Sequence, residues 1–490
     1  MHRLLTALAV LAPLLFGAAC STNPATGEQS FTGFMSPEDE LRVGAEEHPK
    51  ILKDMGGAYG NPTIQTYVDW VGDKLAKASD LPNLKFTFTV LNEPEINAFA
   101  LPGGYVYITR GLIALAENEA EMAGVLAHEI GHVTARHTAQ RYSAAMATNI
   151  GLLGAGILGS VFGIPGDLNR LAGQVGHLYL QAYSREQELE SDMLAVRYMT
   201  KAGYDPRALE TFFRKMAQHT SITQRVRGRP DSDPADNIMS THPRTADRIA
   251  QAINLAQVPP NADPRIGRAD YLARIDGMLW GDSPDQGVVR GREFAHPDLR
   301  LRFEVPPGFY LINSTRQVAA HGPDRTVILF NQLIQKEALQ VRDMRAYVAG
   351  WGGGGLGGVE RIDVNGLEAA TGSARVKTAE GVRDVRLVAI RFARDRIYRF
   401  LFLTPPEATK RRSEDLRRVT YSFRPLSESE ARGIKALKLR VVTVNPGDTP
   451  GKLADMMPLE SFKLDWFQAL NGLAPGATVT AGTKVKVVAP

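Results

Sequence analysis

Gly124-Val125-Leu126-Ala127-His128-Glu129-Ile130-Gly131-His132 decides how the rest of the chain is read. On an α-helix residues four apart share a face, so His128 and His132 can turn both imidazoles toward one zinc ion. Glu129 lies beside the first of them, where a carboxylate can take the proton of a water attacking a carbonyl. The flanks support a helix. Leu112, Leu115, Met122, Val125 and Leu126 give an apolar stripe, Glu117, Glu119 and Glu121 crowd its N-terminal half, and Arg136 and Arg141 follow toward its end. A bare HExxH also arises by chance on a surface helix with two solvated histidines, so its weight depends on what surrounds it.

The chain of 490 residues is too long for one core, and on the order of two to four domains are expected. Its 57 basic and 53 acidic residues leave a net charge of +4, a small difference of large numbers that gives no argument for a nucleic-acid partner. The N-terminus says more. Arg3, the apolar run Leu4 to Phe16 and Gly17-Ala18-Ala19-Cys20 read as an export signal over residues 1–20, too short to span a bilayer as a mature helix. Cys20 is the only cysteine, and it stands where bacterial lipoproteins carry the cysteine that is lipidated. The stretch resembles a lipobox, with Gly17 where Leu is commonest; the alternative is an ordinary signal peptide with a chance cysteine. Ser21 after it, rather than Asp, implies delivery to the outer membrane. One cysteine allows no internal disulfide, even in an oxidising periplasm.

Ser36 to Ala78 has helical spacing, and Phe86-Thr87-Phe88-Thr89-Val90-Leu91 alternates as a strand does. Next, Asn97-Ala98-Phe99-Ala100-Leu101 and Tyr105-Val106-Tyr107-Ile108 flank Pro102-Gly103-Gly104 as two short strands about a turn. Just before a metal helix, Asn97 to Leu101 is either an edge that holds an extended substrate or a purely structural hairpin. After the helix, Ala144 to Gly166 carries no charge. Its length suits a membrane span, but Gly151, Gly154, Gly156, Gly159 and Gly163 with Pro165 at its end favour a cover over the site or a helix dipping into a membrane surface.

A third ligand is expected on another helix, and Ser184-Arg185-Glu186-Gln187-Glu188-Leu189-Glu190-Ser191-Asp192 supplies candidates. Glu188 and Asp192 are four apart and face one way, suiting one carboxylate ligand and one that orients a ligand histidine. Glu190 points elsewhere, and Glu186 and Glu190 read as surface charges. An acidic helix alone is usually a solvated face; the upstream HExxH raises this one.

With these residues in hand the chain resembles the M48 family of zinc metallopeptidases, especially its periplasmic, lipid-anchored or soluble bacterial members. The motifs are HEIGH, then SREQELESD with its ExxxD core, preceded by NAFALPGG, in that order over about residues 36–255. The resemblance implies that His128, His132 and Glu188 bind one zinc ion, that Glu129 is the general base and that Asp192 supports the site. It also picks out Ser240-Thr241-His242-Pro243, which looks like the family's downstream His-Pro segment. His242 is then a fourth ligand in a latent state or a donor to the oxyanion, against the plainer reading of a loop histidine capping a helix. Arg248 is expected at the acidic ligands or the substrate. His137, five residues past His132, is expected to project off the metal face as a structural residue.

From 258 to 287 a proline- and aspartate-rich connection with one short helical piece marks a boundary, and the periodicity then turns from helix to strand. Leu299, Leu301, Phe303 and Val305 alternate, and Val382 to Phe392 with Ile397 to Leu403 form a hairpin around Arg394-Asp395. This α+β part, residues 288–425, weakly resembles the PsbP/Mog1-like sandwich and has no catalytic constellation. The last part, 436–490, resembles a LysM module in its Asn445-Pro446-Gly447-Asp448-Thr449 turn, its Leu470-Asn471-Gly472-Leu473 and its closing strand. That implies a βααβ fold and peptidoglycan binding, with a packing domain of the same fold as the alternative.

The expected fold is therefore multidomain α+β: a mainly helical zincin-type protease domain with a small edge-strand sheet at 21–257, a linker at 258–287, the sandwich, and the small C-terminal module. The expected function is a zinc-dependent metalloendopeptidase of the bacterial cell envelope. Its substrates would be unfolded or misassembled envelope proteins, and it would be lipid-anchored at Cys20 in the periplasm. The competing classes are a latent-site chaperone or assembly factor and a peptidoglycan-binding lipoprotein.

Overall fold

A computed structural model describes residues 20–147, 182–228, 246–256, 263–353, 355–378 and 381–490. The chain enters as a short antiparallel hairpin, β1 (Cys20–Thr22) and β2 (Gln29–Phe31). Helix α1 (Pro37–Asp54) starts where Ser36 and Asp39 close a capping box, and α2 (Pro62–Ala78) starts where Asn61 accepts from the backbone of Thr63 and Ile64.

β3 (Thr87–Leu91), β4 (Ala98–Leu101) and β5 (Tyr105–Thr109) form a three-stranded sheet in the order β3-β5-β4, with β3 parallel and β4 antiparallel to β5. The β4–β5 turn needs its two glycines, since Gly103 and Gly104 have φ of +78° and +87°. Strand alternation splits β4 between two packed faces: Ala98 and Ala100 join the main core, while Phe99 and Leu101 pack with Ile51, Leu91 and Tyr107.

α3 (Arg110–Leu115) leads into α4 (Glu119–Thr134), capped by Asn118. Every residue from Glu119 to His132 is buried, so α4 is the internal axis around which the other helices lie. These are α5 (Arg185–Lys201), α6 (Arg207–Val226), α7 (Ala246–Ala256) and α8 (Arg268–Ile275). The start of α4 is pinned by Glu119, whose carboxylate accepts from Tyr67, Tyr204 and both nitrogens of the Arg265 fork at 2.6–2.9 Å. Burial pushes this carboxyl up, but those four bonds outweigh it and hold Glu119 below its ordinary value.

The stretch expected as a connection, 258–287, contains α8 and β6 (Leu279–Trp280), and Tyr271, Leu272, Ile275 and Met278 are part of the main core. Beyond it β7 (Val288–Arg290), β8 (Glu293–His296), β9 (Leu301–Glu304), β10 (Tyr310–Asn313), β11 (Val318–His321), β12 (Val327–Gln332), β13 (Gly357–Val364), β14 (Leu367–Thr378), β15 (Gly381–Ala393), β16 (Arg396–Thr404), helix α9 (Pro406–Ser422) and β17 (Arg424–Pro425) build two antiparallel sheets. Their orders are β10-β11-β12-β16-β15-β14-β13 and β17-β9-β8-β7. On β15, Val388 and Ile390 pack into one core and Leu387 and Ala389 into another, so both faces of the large sheet are covered.

The chain closes with β18 (Leu437–Thr443), α10 (Pro450–Asp455), α11 (Lys463–Leu470) and β19 (Lys484–Ala489), β18 pairing with both β19 and β6. Leu439, Leu453, Phe467, Val485 and Val487 belong to the same hydrophobic core as α2, α4 and α6. Fully buried Lys486 donates from Nζ to the carbonyls of Ala114, Leu115 and Ala116 at 2.7–3.1 Å. The last strand is thereby bonded to the link between α3 and α4. No described helix is long and apolar enough to cross a membrane. The leader and residues 148–166 of the uncharged stretch lie outside the described residues, as does the segment with His242.

Candidate metal centre

α4 and α5 lie side by side, and three buried donors meet between them. His128 Nε2 and His132 Nε2 are 2.8 Å apart; Glu188 places Oε2 3.7 Å from the first and Oε1 3.4 Å from the second. Among the described residues this is the group whose ligand atoms, all within 4.8 Å of one another, could hold a metal ion. Two imidazoles and one carboxylate are a donor set zinc accepts, and donors about 2.1 Å from one tetrahedral ion stand about 3.4 Å apart, close to what is found. Three protein donors among the described residues is the number that catalytic rather than structural zinc sites use. Glu129 is buried beside His128 on the same helix.

The helices approach closely because Gly131 has no side chain: a Cβ there would stand 2.7 Å from Ser191 Oγ. Ser191 uses the space to donate to the His128 carbonyl at 2.6 Å. Behind the ligands, His128 Nδ1 is 2.8 Å from Asp192 Oδ1. Arg248 on α7 donates to Asp192 Oδ2 at 2.6 Å and to Glu188 Oε2 at 3.1 Å, so the expectation that it reaches the acidic ligands is met in the geometry.

His137 does project off the metal face, and its Nδ1 lies 2.8 Å from His132 Nδ1, on the far side of that ring. One sequence expectation is corrected: Glu190 is not a solvated surface charge, since Oε2 lies 3.2 Å from His137 Nε2 and Oε1 accepts from Asn23 Nδ2 at 2.7 Å. The reason is tertiary. A turn at Ala135–Arg136, with Arg136 at φ +58°, swings His137 back toward the site, and the N-terminal hairpin covers the flank of α5 where Glu190 emerges. Glu186 is exposed.

Tyr183 escaped sequence reasoning altogether. Its ring stacks on His132 with centroids 3.8 Å apart and planes 16° apart, Arg141 lies over its ring at 4.0 Å, and burial pushes its phenol up. No local pattern marks a lone tyrosine ahead of a capping serine as a partner of a histidine fifty residues earlier.

Ala98–Leu101, with Asn97 leading into them, form the edge strand of the small sheet and pack on α4. A cavity of about 220 Å³ opens beside His132 at the end of this strand, walled by Leu41, Leu81, Leu84, Leu101 and Pro102. Arg136 lines it too, donating to Glu40, Ser21 and the Met35 carbonyl, so the N-terminal segment is tied to the end of the metal helix.

Residues 62–256 match the family model of peptidase family M48. The chain carries an M48 peptidase domain. Similar curated proteins include the beta-barrel assembly-enhancing protease of Yersinia pestis, 32% identical over 260 residues, which cover 51% of this chain and 50% of that protein. The protein of the same name from Escherichia coli K12 is 29% identical over 248 residues, covering 49% and 48%. The mitochondrial metalloendopeptidase OMA1 of Schizosaccharomyces pombe is 29% identical over 191 residues, covering 37% and 53%. The chain thus spans about half the length of the curated relatives it matches. Among solved structures, cyanobacterial PsbP from Synechocystis sp. PCC 6803 has a TM-score of 0.21 at 15% identity, covering 27% of this chain and 91% of that one. Yeast Mog1p has 0.20 at 16%, covering 28% and 96%. Residues 62–256 hold His128, Glu129, His132, His137, Glu188, Glu190, Asp192 and Arg248; Asn23, Glu40 and Lys486, which brace them, lie outside the matched residues.

Proposed function

We propose that the protein is a zinc-dependent endopeptidase. The observation that carries this reading is the convergence of His128, His132 and Glu188 on one point with Glu129 buried next to it. Zinc held there supplies Lewis acidity to a peptide carbonyl and to water. The chain's own residues do the rest. The edge strand β4 pairs with the backbone of an extended substrate, Glu129 takes the proton of the attacking water and passes it to the leaving amine, and Asp192 keeps the His128 ring in position. The apolar walls of the cavity beside His132 suit a bulky aliphatic or aromatic side chain next to the scissile bond.

An edge strand recognises backbone, which folded proteins hide, so unfolded or misassembled proteins are the substrate class. The bacterial relatives are beta-barrel assembly-enhancing proteases, and the export-signal pattern of residues 1–20 supports a place in the periplasm, lipid-anchored at Cys20 to the outer membrane. The C-terminal β-α-α-β order agrees with a LysM-like module, and peptidoglycan is its proposed ligand. His242 is proposed as a fourth ligand that keeps the site latent or as a donor to the oxyanion.

The deciding experiment measures zinc content and casein cleavage of the purified protein beside Glu129→Gln and His242→Ala. Zinc in all three, with cleavage lost in Glu129→Gln, is expected. Cleavage retained in Glu129→Gln, or no zinc in the parent, overturns the assignment. Greater cleavage by His242→Ala identifies a latch.

A further inference from the structure

We propose that Asn23, Glu190 and His137 form a positioning relay that orients the His132 ring for metal, so that the segment after Cys20 is part of the metal centre. The inference rests on the zinc reading above. His128 and His132 both turn Nε2 toward Glu188, but their far nitrogens are backed differently. His128 Nδ1 meets the Asp192 carboxylate directly, whereas His132 Nδ1 meets a second imidazole at 2.8 Å.

Two ring nitrogens at that distance need one donor and one acceptor. A neutral His132 with its Nε2 lone pair on the metal carries its proton on Nδ1 and therefore donates. His137 then accepts at Nδ1 and carries its own proton on Nε2, which faces Glu190 Oε2 at 3.2 Å. Glu190 receives at Oε1 from Asn23 Nδ2, 2.7 Å away. The amide orientation of Asn23 is fixed independently, because Oδ1 accepts from the backbone of Ala25 at 2.9 Å. Every proton in the chain Asn23–Glu190–His137–His132 thus has one place.

The setting restricts movement as well. His137 is fully buried, Asn23 is 3% exposed, and the backbone of Asn23 closes the hairpin turn through Glu28 and Gly27. Three carboxylates on α5 divide the labour: Glu188 toward the metal, Asp192 behind one imidazole, and Glu190 behind the other at one remove. Outer-shell partners of this kind fix tautomer and ring direction and raise metal affinity.

The test is chelator competition for zinc, at one pH, on the full protein and on Glu190→Gln, His137→Phe, Asn23→Asp and the exposed control Glu186→Gln. Cobalt(II) absorption spectra and melting of the metal-free forms are recorded alongside. The relay predicts zinc affinity lowered about 10-fold or more in Glu190→Gln and His137→Phe, with altered cobalt bands, and no change in Glu186→Gln. Glu190→Gln keeps the side chain's shape and stays decisive if His137→Phe fails to fold. A parent that binds zinc while Glu190→Gln and Asn23→Asp match it in affinity and spectrum overturns the relay alone. A parent that binds no zinc overturns the relay and the peptidase reading together.

Discussion

His128 and Asp192, 64 residues apart in the chain, meet with Nδ1 and Oδ1 2.8 Å apart, while the Arg248 guanidinium holds the other oxygen of the carboxylate at 2.6 Å. Asp192 is fully buried and four residues after Glu188, so one helix supplies a candidate metal donor and the carboxylate that backs the His128 ring. Asp192→Asn keeps the shape but weakens both charge-assisted bonds. Zinc affinity is expected to fall by roughly 10- to 100-fold, read by chelator competition. An unchanged affinity would remove Asp192 from the metal centre.

Gly131→Ala tests the contact of α4 with α5. Its Cβ would stand 2.7 Å from Ser191 Oγ and 3.1 Å from the Ser191 carbonyl, a backbone atom with little freedom to retreat. Destabilisation of about 1–3 kcal/mol is expected in urea unfolding, with weaker zinc binding as the helices separate. Wild-type stability would mean the two helices pack less closely than described.

Glu40 gives a pH dependence. Burial pushes its carboxyl up to about 7, against the opposing pull of Arg136. The folded protein therefore keeps a proton that the unfolded chain, near 4.5, releases. This contribution to stability is complete below about pH 4.5 and is lost as the pH rises through about 7, with a slope of at most about 1.4 kcal/mol per unit. Glu40→Gln should flatten that fall between about pH 5 and 7 in urea midpoints, and an unaltered slope would refute it.

The C-terminal strands share the peptidase core, so removing residues 437–490 should do more than delete a module. Phe467, Val485 and Val487 leave the core, and the carbonyls that Lys486 satisfies at Ala114 and Ala116 lose their donor beside the metal helix. The truncated protein is expected to lose its cooperative melt and to be digested within the M48 domain under limited proteolysis. A truncated protein that melts and binds zinc as the full chain does would show that the C-terminal part is separable.

Local chemistry made much of the framework legible. The helical spacing from Ser36 to Ala78 resolves into two helices, the glycines after Pro102 turn one strand into the next, and the alternation from Val382 to Leu403 is a hairpin. The i, i+4 spacing alone puts His128 and His132 on one helix face, and Glu188 and Asp192 on one face of another. What stayed hidden joins distant parts of the chain: Tyr183 on His132, Asn23 on Glu190, and Lys486 on the α3–α4 link.

By itself the sequence determined the helix that carries HExxH, the helix that carries Glu188 and the chemistry of their side chains, because spacing within one helix is set by its 3.6-residue turn. Only the tertiary structure decided that Glu190 and His137 line up behind His132 and that the last strand belongs to the first core. Those outcomes depend on how helices and hairpins pack against one another, and no local period in the sequence encodes that.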